Sequence, residues 1–417
     1  MRPDENKKRH IVVCGKGSGG STSVEWDDIL NKPEFATVAT SGDYDDLTDK
    51  PTIPEAPVQS DWNEADSGSL AYIANKPSIP IVPPMATETL TFTLQDSTTK
   101  TITFFTAITG YFYIEDASGS DNTLSIVKNN ENASTVEVFA STDQMSWTSM
   151  GSTSTTAITA TIPANGKLYL KANADVWGGE SNANKITCSG NHNVGGNIMS
   201  LLYGDNFSNQ TAFPENTGAN FGNLFSYNNN LISAENLILP VTTLPSMAYI
   251  GMFSRCTALT TAPATLPATT IGFYSCAGMF SGCSSLTAAP EMSAITVGAA
   301  GCTGMFENCT ALTTAPPSLG TTFESWAYSH LFENCTALTT APELPATTLV
   351  EGCYAWMFRG CPHIDRVVSF AQNIYPGAMT EWLSGASATG DFYNLGGATY
   401  ESGESGIPQG WTEHNSL

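Results

Sequence analysis

Four groups of residues in this chain have types and spacings that chemistry uses. Gly15-Lys16-Gly17-Ser18-Gly19-Gly20 is a literal G-x-G-x-x-G after the apolar Ile11-Val12-Val13-Cys14. On a βαβ unit such a loop cradles a pyrophosphate, with an acid about 20 residues on holding the ribose. Here Val24 to Leu30 runs straight into Asn31-Lys32-Pro33, so no such unit follows and no nucleotide site is expected. Ten cysteines and five histidines are the second group, but no C-x-x-C pair occurs, which argues against zinc. Acids at Asp43/Asp45/Asp46/Asp49 and Glu115/Asp116/Asp121 could supply calcium oxygens; without EF-hand spacing they read better as solvated turns. The fourth group is aromatic: Phe273, Tyr274, Phe323, Trp326 and Trp356, whose faces could stack on sugar rings.

Covalent catalysis finds little to work with. The motifs H-E-x-x-H, G-x-S-x-G and the P-loop do not occur, and His192, His330, His363 and His414 stand without a recurring acid or nucleophile. Paired carboxylates for glycoside cleavage need only meet in space. Yet no acid stands out inside the apolar repeats, where burial would tune its pKa. The expectation is no enzyme, no catalytic residue, no metal and no cofactor. Net charge points the same way about partners: 16 Lys and Arg against 39 acids give −23, a field that repels nucleic acid. No apolar run approaches the roughly 18 residues of a membrane span, so no membrane insertion is expected. Ile11 to Cys14 is too short an apolar core for a secretory signal, which favours assembly inside the cell.

Binding needs a scaffold, and the sequence carries one as an internal repeat. Phe253, Phe280, Phe306, Phe332 and Phe358 each begin the phrase Phe-x-x-Cys-x-x-Leu/Ile, at a period of 26 or 27 residues. Such a period marks a solenoid, in which one coil cannot bury its apolar residues but stacked coils bury them as ladders. Phe and Cys three apart suit a short helical or 3₁₀ turn. The Leu-Thr-x-Ala that follows suits a short strand ended by Pro263, Pro290, Pro316 or Pro342. Cys256, Cys283, Cys309, Cys335 and Cys361 hold one register and read as a reduced, core-filling ladder, with adjacent-coil disulfides as the lesser alternative. Cys276, Cys302 and Cys353 read as a second, rougher column, with Tyr328 in the analogous place. The array's edges degenerate, as caps do: Asn228 takes the Cys position in the first copy, and Val368 replaces the proline in the last.

The phrases GMFSRCTALTTAP, GMFSGCSSLTAAP, GMFENCTALTTAP and HLFENCTALTTAP closely resemble BspA-type leucine-rich repeats, found in surface proteins of gut bacteria and in fibres of their phages. SGNHNVGGNIMSLLYGDNF (189–207) and SGIPQGWT (405–412) resemble that family's lead-in and closing phrase, so the resemblance covers about half of the chain. It implies recognition and adhesion. Upstream, Trp26-Asp-Asp-Ile-Leu-Asn-Lys-Pro33 is echoed by Tyr44-Asp-Asp-Leu-Thr-Asp-Lys-Pro51 and more loosely from Trp62 and Tyr72 to Pro77. One aromatic and several prolines per copy cannot build a monomeric core. These phrases resemble stalk repeats of phage tail and head fibres, which implies a homotrimer with Trp26, Tyr44, Trp62 and Tyr72 as the stalk core between subunits.

The expected organisation is mainly β with short helical turns, in five parts. Residues 1–23 form an arm, either simply flexible or a virion anchor in which Ile11, Val12 and Val13 add a strand to a capsid or tail protein. Residues 24–85 form the fibrous trimeric stalk. Residues 86–195 alternate apolar and polar in short runs, such as Thr89–Leu94, Lys100–Phe104, Ser134–Phe139 and Gly166–Lys171, and read as a β-sandwich of Ig-like type. Residues 196–382 form the repeat solenoid and 383–417 its cap, with Phe392, Tyr393 and Trp411. Between each proline and the next Phe the copies diverge, so Phe273, Tyr274, Phe323, Trp326 and Trp356 are the candidate receptor contacts, Trp326 foremost; packing between coils or on a neighbouring chain is the alternative. The resemblances together imply a virion fibre, a head fibre before a tail fibre, whose repeats bind a host-surface glycan or protein. A bacterial BspA-like adhesin and a fibre-borne depolymerase are the rival readings.

Overall fold

The computed structural model describes residues 110–128, 135–174, 177, 184–214 and 221–417, and the backbone of two strands before them. The proposed anchor residues Ile11, Val12 and Val13 and the stalk residues Trp26, Tyr44, Trp62 and Tyr72 lie outside the described residues. Strands β1 (Met85–Thr93) and β2 (Thr99–Ala107) pair in a sheet of their own, on the two alternating runs at Thr89 and Lys100. The second of the chain's two compact units, Ile81–Ala86 with Thr106–Leu417, holds the remaining strands. It is mainly β: its described residues include one four-residue helix, α1 (Ser200–Tyr203), and a 3₁₀ turn at Gly204–Asn206.

The first half of this unit is two sheets. β3 (Tyr113–Asp116), β5 (Glu137–Ser141), β6 (Thr148–Ser152), β8 (Lys167–Ala172), β10 (His192–Asn197) and β11 (Leu231–Ile238) form a six-stranded sheet in the order β11-β10-β3-β8-β5-β6. β4 (Asn122–Lys128), β7 (Ile158–Ile162) and β9 (Asn184–Cys188) form a three-stranded one in the order β7-β4-β9. Alternation in β8 turns Leu168, Leu170 and Ala172 inward, and in β4 Leu124 and Ile126, because side chains along a strand take opposite faces. All five join one buried apolar core with Phe112, Ile114 and Val138. The acidic turn 115–122 is a hydrogen-bond knot. Asp116 accepts from the Ser118 and Gly119 amides, the Ser118 hydroxyl and the Asn165 amide, at 3.0, 2.9, 2.6 and 3.0 Å, so both its oxygens are used. Those donors favour the charged form and hold its carboxyl below the usual range.

β10 is the hinge between two pairing modes. It runs antiparallel to β3 and parallel to β11, and the expected boundary between residues 195 and 196 falls inside it. From β11 onward, backbone pairing between successive repeats is parallel. Buried His192 lies here, with Nδ1 3.0 Å from the Gly190 carbonyl and Nε2 3.1 Å from Asn228 Nδ2. Because the Asn228 amide can only donate, Nε2 must accept, and the ring is neutral with its proton on Nδ1. Asn228 Nδ2 also donates to Ile186 O at 3.2 Å. That is the physical content of the Asn in the first copy's Cys position: it bonds to strands where later copies bond to a coil.

In the repeats the expected helical turns are absent, and a ribbon of tight turns takes their place. Left-handed residues recur every fourth position: Met247, Gly251 and Arg255 in one coil, then Tyr274, Gly278 and Gly282, then Ala300, Gly304 and Asn308, then Trp326, His330 and Asn334. A left-handed residue breaks a helix after each turn. Alternate amides therefore go two ways. Met252 N and Cys256 N close turns on Tyr249 O and Phe253 O, whereas Gly251 N, Phe253 N and Arg255 N reach Ala277 O, Met279 O and Ser281 O of the next coil. The stacked coils share this hydrogen-bond sheet, and the repeat needs no helix to satisfy its backbone.

Between the ribbons run parallel strands of two residues: β12 (Thr243–Leu244), β14 (Thr270–Ile271), β16 (Thr296–Val297) and β17 (Thr322–Phe323) make one ladder, in that order. β13 (Thr265–Leu266) pairs with β15 (Glu291–Met292), and β18 (Thr348–Leu349) with β20 (Asn373–Ile374). The strands expected at Leu-Thr-x-Ala shrink to single bridges such as Ala288↔Thr314, because the proline that follows ends the ladder at once.

The side-chain ladders are as regular as the phrases. Phe225, Phe253, Phe280, Phe306, Phe332 and Phe358 stack with centroids 5.2 to 5.7 Å apart, and the inner pairs are parallel to within 6°. Each phenyl is fully buried, worth about 1.5–3 kcal/mol relative to exposure. Each ladder thiol donates to a Phe carbonyl of the preceding coil: Cys256 to Phe225, Cys283 to Phe253, Cys309 to Phe280, Cys335 to Phe306 and Cys361 to Phe332, at 3.0 to 3.1 Å. All nine described cysteines are free and buried. The second column needs correcting. Tyr354, not Cys353, continues Cys276, Cys302 and Tyr328, since each sits two residues past a left-handed residue and bonds in the same register. At the far end Trp382 meets Phe358 and Phe392, and its Nε1 donates to Gly406 O at 2.7 Å. β19 (Arg366–Ser369), β21 (Gly390–Asn394) and β22 (Trp411–His414) close that end as a parallel sheet.

Candidate functional site

The turn ribbon sets three columns of left-handed positions side by side, buried at Gly251, Ala300, Gly304 and Gly352 and exposed at Arg255, Asn308, Trp326 and Asn334. A left-handed residue suits Gly, and costs roughly 1–2 kcal/mol for most others. The middle column accordingly reads Gly251, Gly278, Gly304, and then breaks to His330 and Trp356, with φ of 55° and 56°. The first column reads Met247, Tyr274, Ala300, Trp326 and Gly352. Large rings at positions built for Gly are strain that a folded chain carries for a reason, and binding surfaces are where such strain collects.

Two of those rings, Tyr274 and His330, border a shallow groove of about 340 Å³ whose lining comes from four successive coils; Trp326 and Trp356 do not line it. Gly278, Thr303 and Gly304 floor it, Tyr274 and Ile250 border it on one side, and His330 and Glu333 on the other, with Glu307 between. The distance across is set by coil spacing, 5.5 and 5.6 Å at the phenyl ladder beneath. His330 is buttressed from behind: Trp356 stacks on it at 4.6 Å and 18°, and Trp326 stacks on Trp356 at 6.2 Å. Gly352 makes that possible, since a Cβ there would stand 2.4 Å from the Trp326 ring. His330 Nδ1 bonds to Glu333 Oε2, and Arg359 approaches the other Glu333 oxygen at 3.6 Å. Glu307 Oε1 accepts from Asn308 Nδ2 at 3.1 Å, and its Oε2 faces Gly304, where a Cβ would stand 3.2 Å away. Among the described residues, none of those lining the groove is a lysine or arginine. A second groove, of about 560 Å³, lies near the C-terminal end against Gln372, Asn373, Tyr375 and Thr399, without a charged side chain.

The candidate contacts separate cleanly. Tyr274 lines the groove, and Phe273 beside it is 45% exposed, edge-on to the Tyr274 ring at 4.5 Å. Trp326 is 38% exposed, and Trp356 is half-buried beneath it. Phe323 is not a contact: it is 8% exposed and packs against Tyr328 and Tyr354 at 5.6 and 5.5 Å, because β17 turns it into the core. Two of the histidines, His330 and His414, do have acid partners. Besides His330 with Glu333, His414 Nε2 lies 2.7 Å from Asp391 Oδ1. Sequence reasoning missed His330, Glu307 and Glu333. Their signal was the phrase HLFENC, in which His replaces the Gly of three GMF copies.

The arrangement offers stacking faces, carboxylate acceptors and an open floor, which suits reversible binding of a hydroxyl-rich ligand. Compared with family models, curated proteins and solved structures, the chain matches none.

Proposed function

We propose that this chain is a virion fibre protein, a head fibre in preference to a tail fibre, carried on the outside of a phage particle. In this reading residues 1–23 attach it to a capsid or tail protein and 24–85 trimerise it. Residues 86–195 are an Ig-like β-sandwich. Residues 196–382 are a BspA-like leucine-rich-repeat solenoid that adheres to a host or surface receptor, capped by 383–417. One observation carries the adhesive part: the buried phenyl ladder repeats from coil to coil, while bulky rings, Trp326 exposed and Tyr274, His330 and Trp356 half-buried, occupy left-handed positions, a conformation Gly takes without strain. The stalk and its trimer rest on the resemblance of the Lys-Pro phrases alone.

Two measurements test the reading. Light scattering on the full chain and on residues 86–417 should give three chains and one. A monomeric full chain removes the stalk and favours a bacterial adhesin. Purified 417-residue protein should bind intact host cells and be displaced by excess unlabelled protein; absence of saturable binding removes adhesion. A depolymerase is the second reading, because Glu307 and Glu333 line the same groove. Release of reducing ends from host polysaccharide, abolished by Glu307→Gln, would establish it.

A further inference from the structure

We infer that the groove between Tyr274 and His330 takes a single uncharged pyranose unit of a surface glycan, an inference that rests on the adhesive reading. Size is the first argument. The groove lies at the lower end of small-ligand sites, roughly 300–1,000 Å³, and its 340 Å³ are open to one side. It therefore holds one ring of a chain whose remainder stays in solvent.

Chemistry is the second argument. A pyranose presents hydroxyl donors around its rim and C–H faces above and below. Here the rim meets acceptors: Glu307 Oε2, the Glu333 carboxylate and the Thr303 hydroxyl. Charge-assisted hydrogen bonds to a carboxylate are about twice as strong as neutral ones. The faces meet Tyr274 and His330, whose rings stand on the two flanks. Gly278 and Gly304 leave the backbone between the two flanks without side chains, and the column first gains one at His330.

Charge is the third. An acidic sugar would bring its carboxylate to Glu307 with no lysine or arginine in the lining to receive it, on a chain of net charge −23. A cationic group finds less attraction than the two acids suggest, because Glu333 already faces His330 and Arg359, and Arg359 also lies 3.7 Å from Glu381. An uncharged ring is left as the best match. His330 is a positioning group as well as a flank: Trp356 behind it fixes the ring plane, and Glu333 fixes its rotation.

The test is a panel of immobilised hexose oligosaccharides in three classes, neutral, uronate-bearing and free-amine, against the 417-residue protein. Affinities would be measured for Tyr274→Gly, His330→Gly and Glu307→Gln. The two glycine variants suit φ of 53° and 55° and so leave the coil folded, which thermal unfolding would verify. Expected is binding to a neutral class, weakened at least tenfold by each variant. Preference for uronate or amine sugars overturns the ligand assignment. Neutral binding untouched by all three variants overturns the groove. Saturable binding to host cells without any sugar binding overturns this inference and leaves adhesion standing; loss of both overturns the two together.

Discussion

Asn308 offers a decisive perturbation because the sign of the effect, not only its size, depends on the ribbon's backbone. It has φ of 60°, donates its amide to Glu333 O at 2.8 Å, and sits directly before the ladder Cys309. Gly282 and Gly360 occupy the same place in other coils, with φ of 76° and 72°. At an ordinary position Ala is more stable than Gly by about 0.5–1 kcal/mol, since Gly loses more backbone freedom on folding. At a left-handed position a Cβ costs roughly 1–2 kcal/mol, so the order reverses. Both substitutions lose the same two exposed side-chain hydrogen bonds, from Asn334 Nδ2 at 3.0 Å and to Glu307 at 3.1 Å, worth about 0.5–1.5 kcal/mol each. The common loss cancels in the comparison. Asn308→Gly should therefore exceed Asn308→Ala in stability by about 1 kcal/mol. At exposed Ser284, which has no positive φ, Ser284→Ala should exceed Ser284→Gly. Urea unfolding of the four variants, compared by midpoint at equal slope, reads both orders. If Asn308→Ala equals or exceeds Asn308→Gly, the left-handed ribbon is wrong, and with it the account of why His330 and Trp356 are strained.

Four further outcomes follow from the same geometry. Phe306→Ala, which empties the middle of the phenyl ladder, should cost about 3–5 kcal/mol, and Phe306→Leu much less, by denaturant unfolding. Burial pushes the Cys256, Cys309 and Cys361 thiols up to about 12, so these three should resist iodoacetamide at pH 8 until denaturant is added, by mass spectrometry; a reductant should leave the melting temperature unchanged. Burial lowers the pKa of His192, whose neutral ring is required by Asn228; its contribution is complete above the unfolded value of about 6.5 and is lost as pH falls below it, and His192→Gln should flatten that part of the stability curve. Gly352→Ala, with φ of 62° and a Cβ aimed into Trp326, should displace that indole, seen as a changed tryptophan emission, and cost at least about 1 kcal/mol.

Much of this architecture could be read from spacing. The period of Phe, Cys and Leu is a property of the chain, and a residue that returns every 26 or 27 positions in a stacked array must meet its own copy. Hence the phenyl and thiol ladders and the aberrant Asn228 were foreseeable from the period, and the strands β5 and β8 from their alternation. Local conformation was less so. Phe-x-x-Cys fits a helical turn as well as a tight-turn ribbon, because both bring residues three apart together; only the left-handed backbone at Arg255, Gly282 and Asn308 separates them.

The binding surface was legible in part, for a related reason. Divergence among copies pointed to Tyr274 and Trp326 but equally to Phe323, since sequence variation marks a segment and not the direction of each side chain. Two residues of β17 decide that Phe323 points inward. The sequence by itself determined the repeat, its period, its buried ladders and its acidic balance, because each depends on residue type and separation along the chain. Only the tertiary structure decided that His330, Glu333 and Glu307 share a groove with Tyr274, that Tyr354 displaces Cys353 from its column, and that the Cys thiols reach carbonyls of the coil before. Those facts depend on which atoms the stacking of coils brings within a few ångströms, and no spacing along the chain encodes that distance.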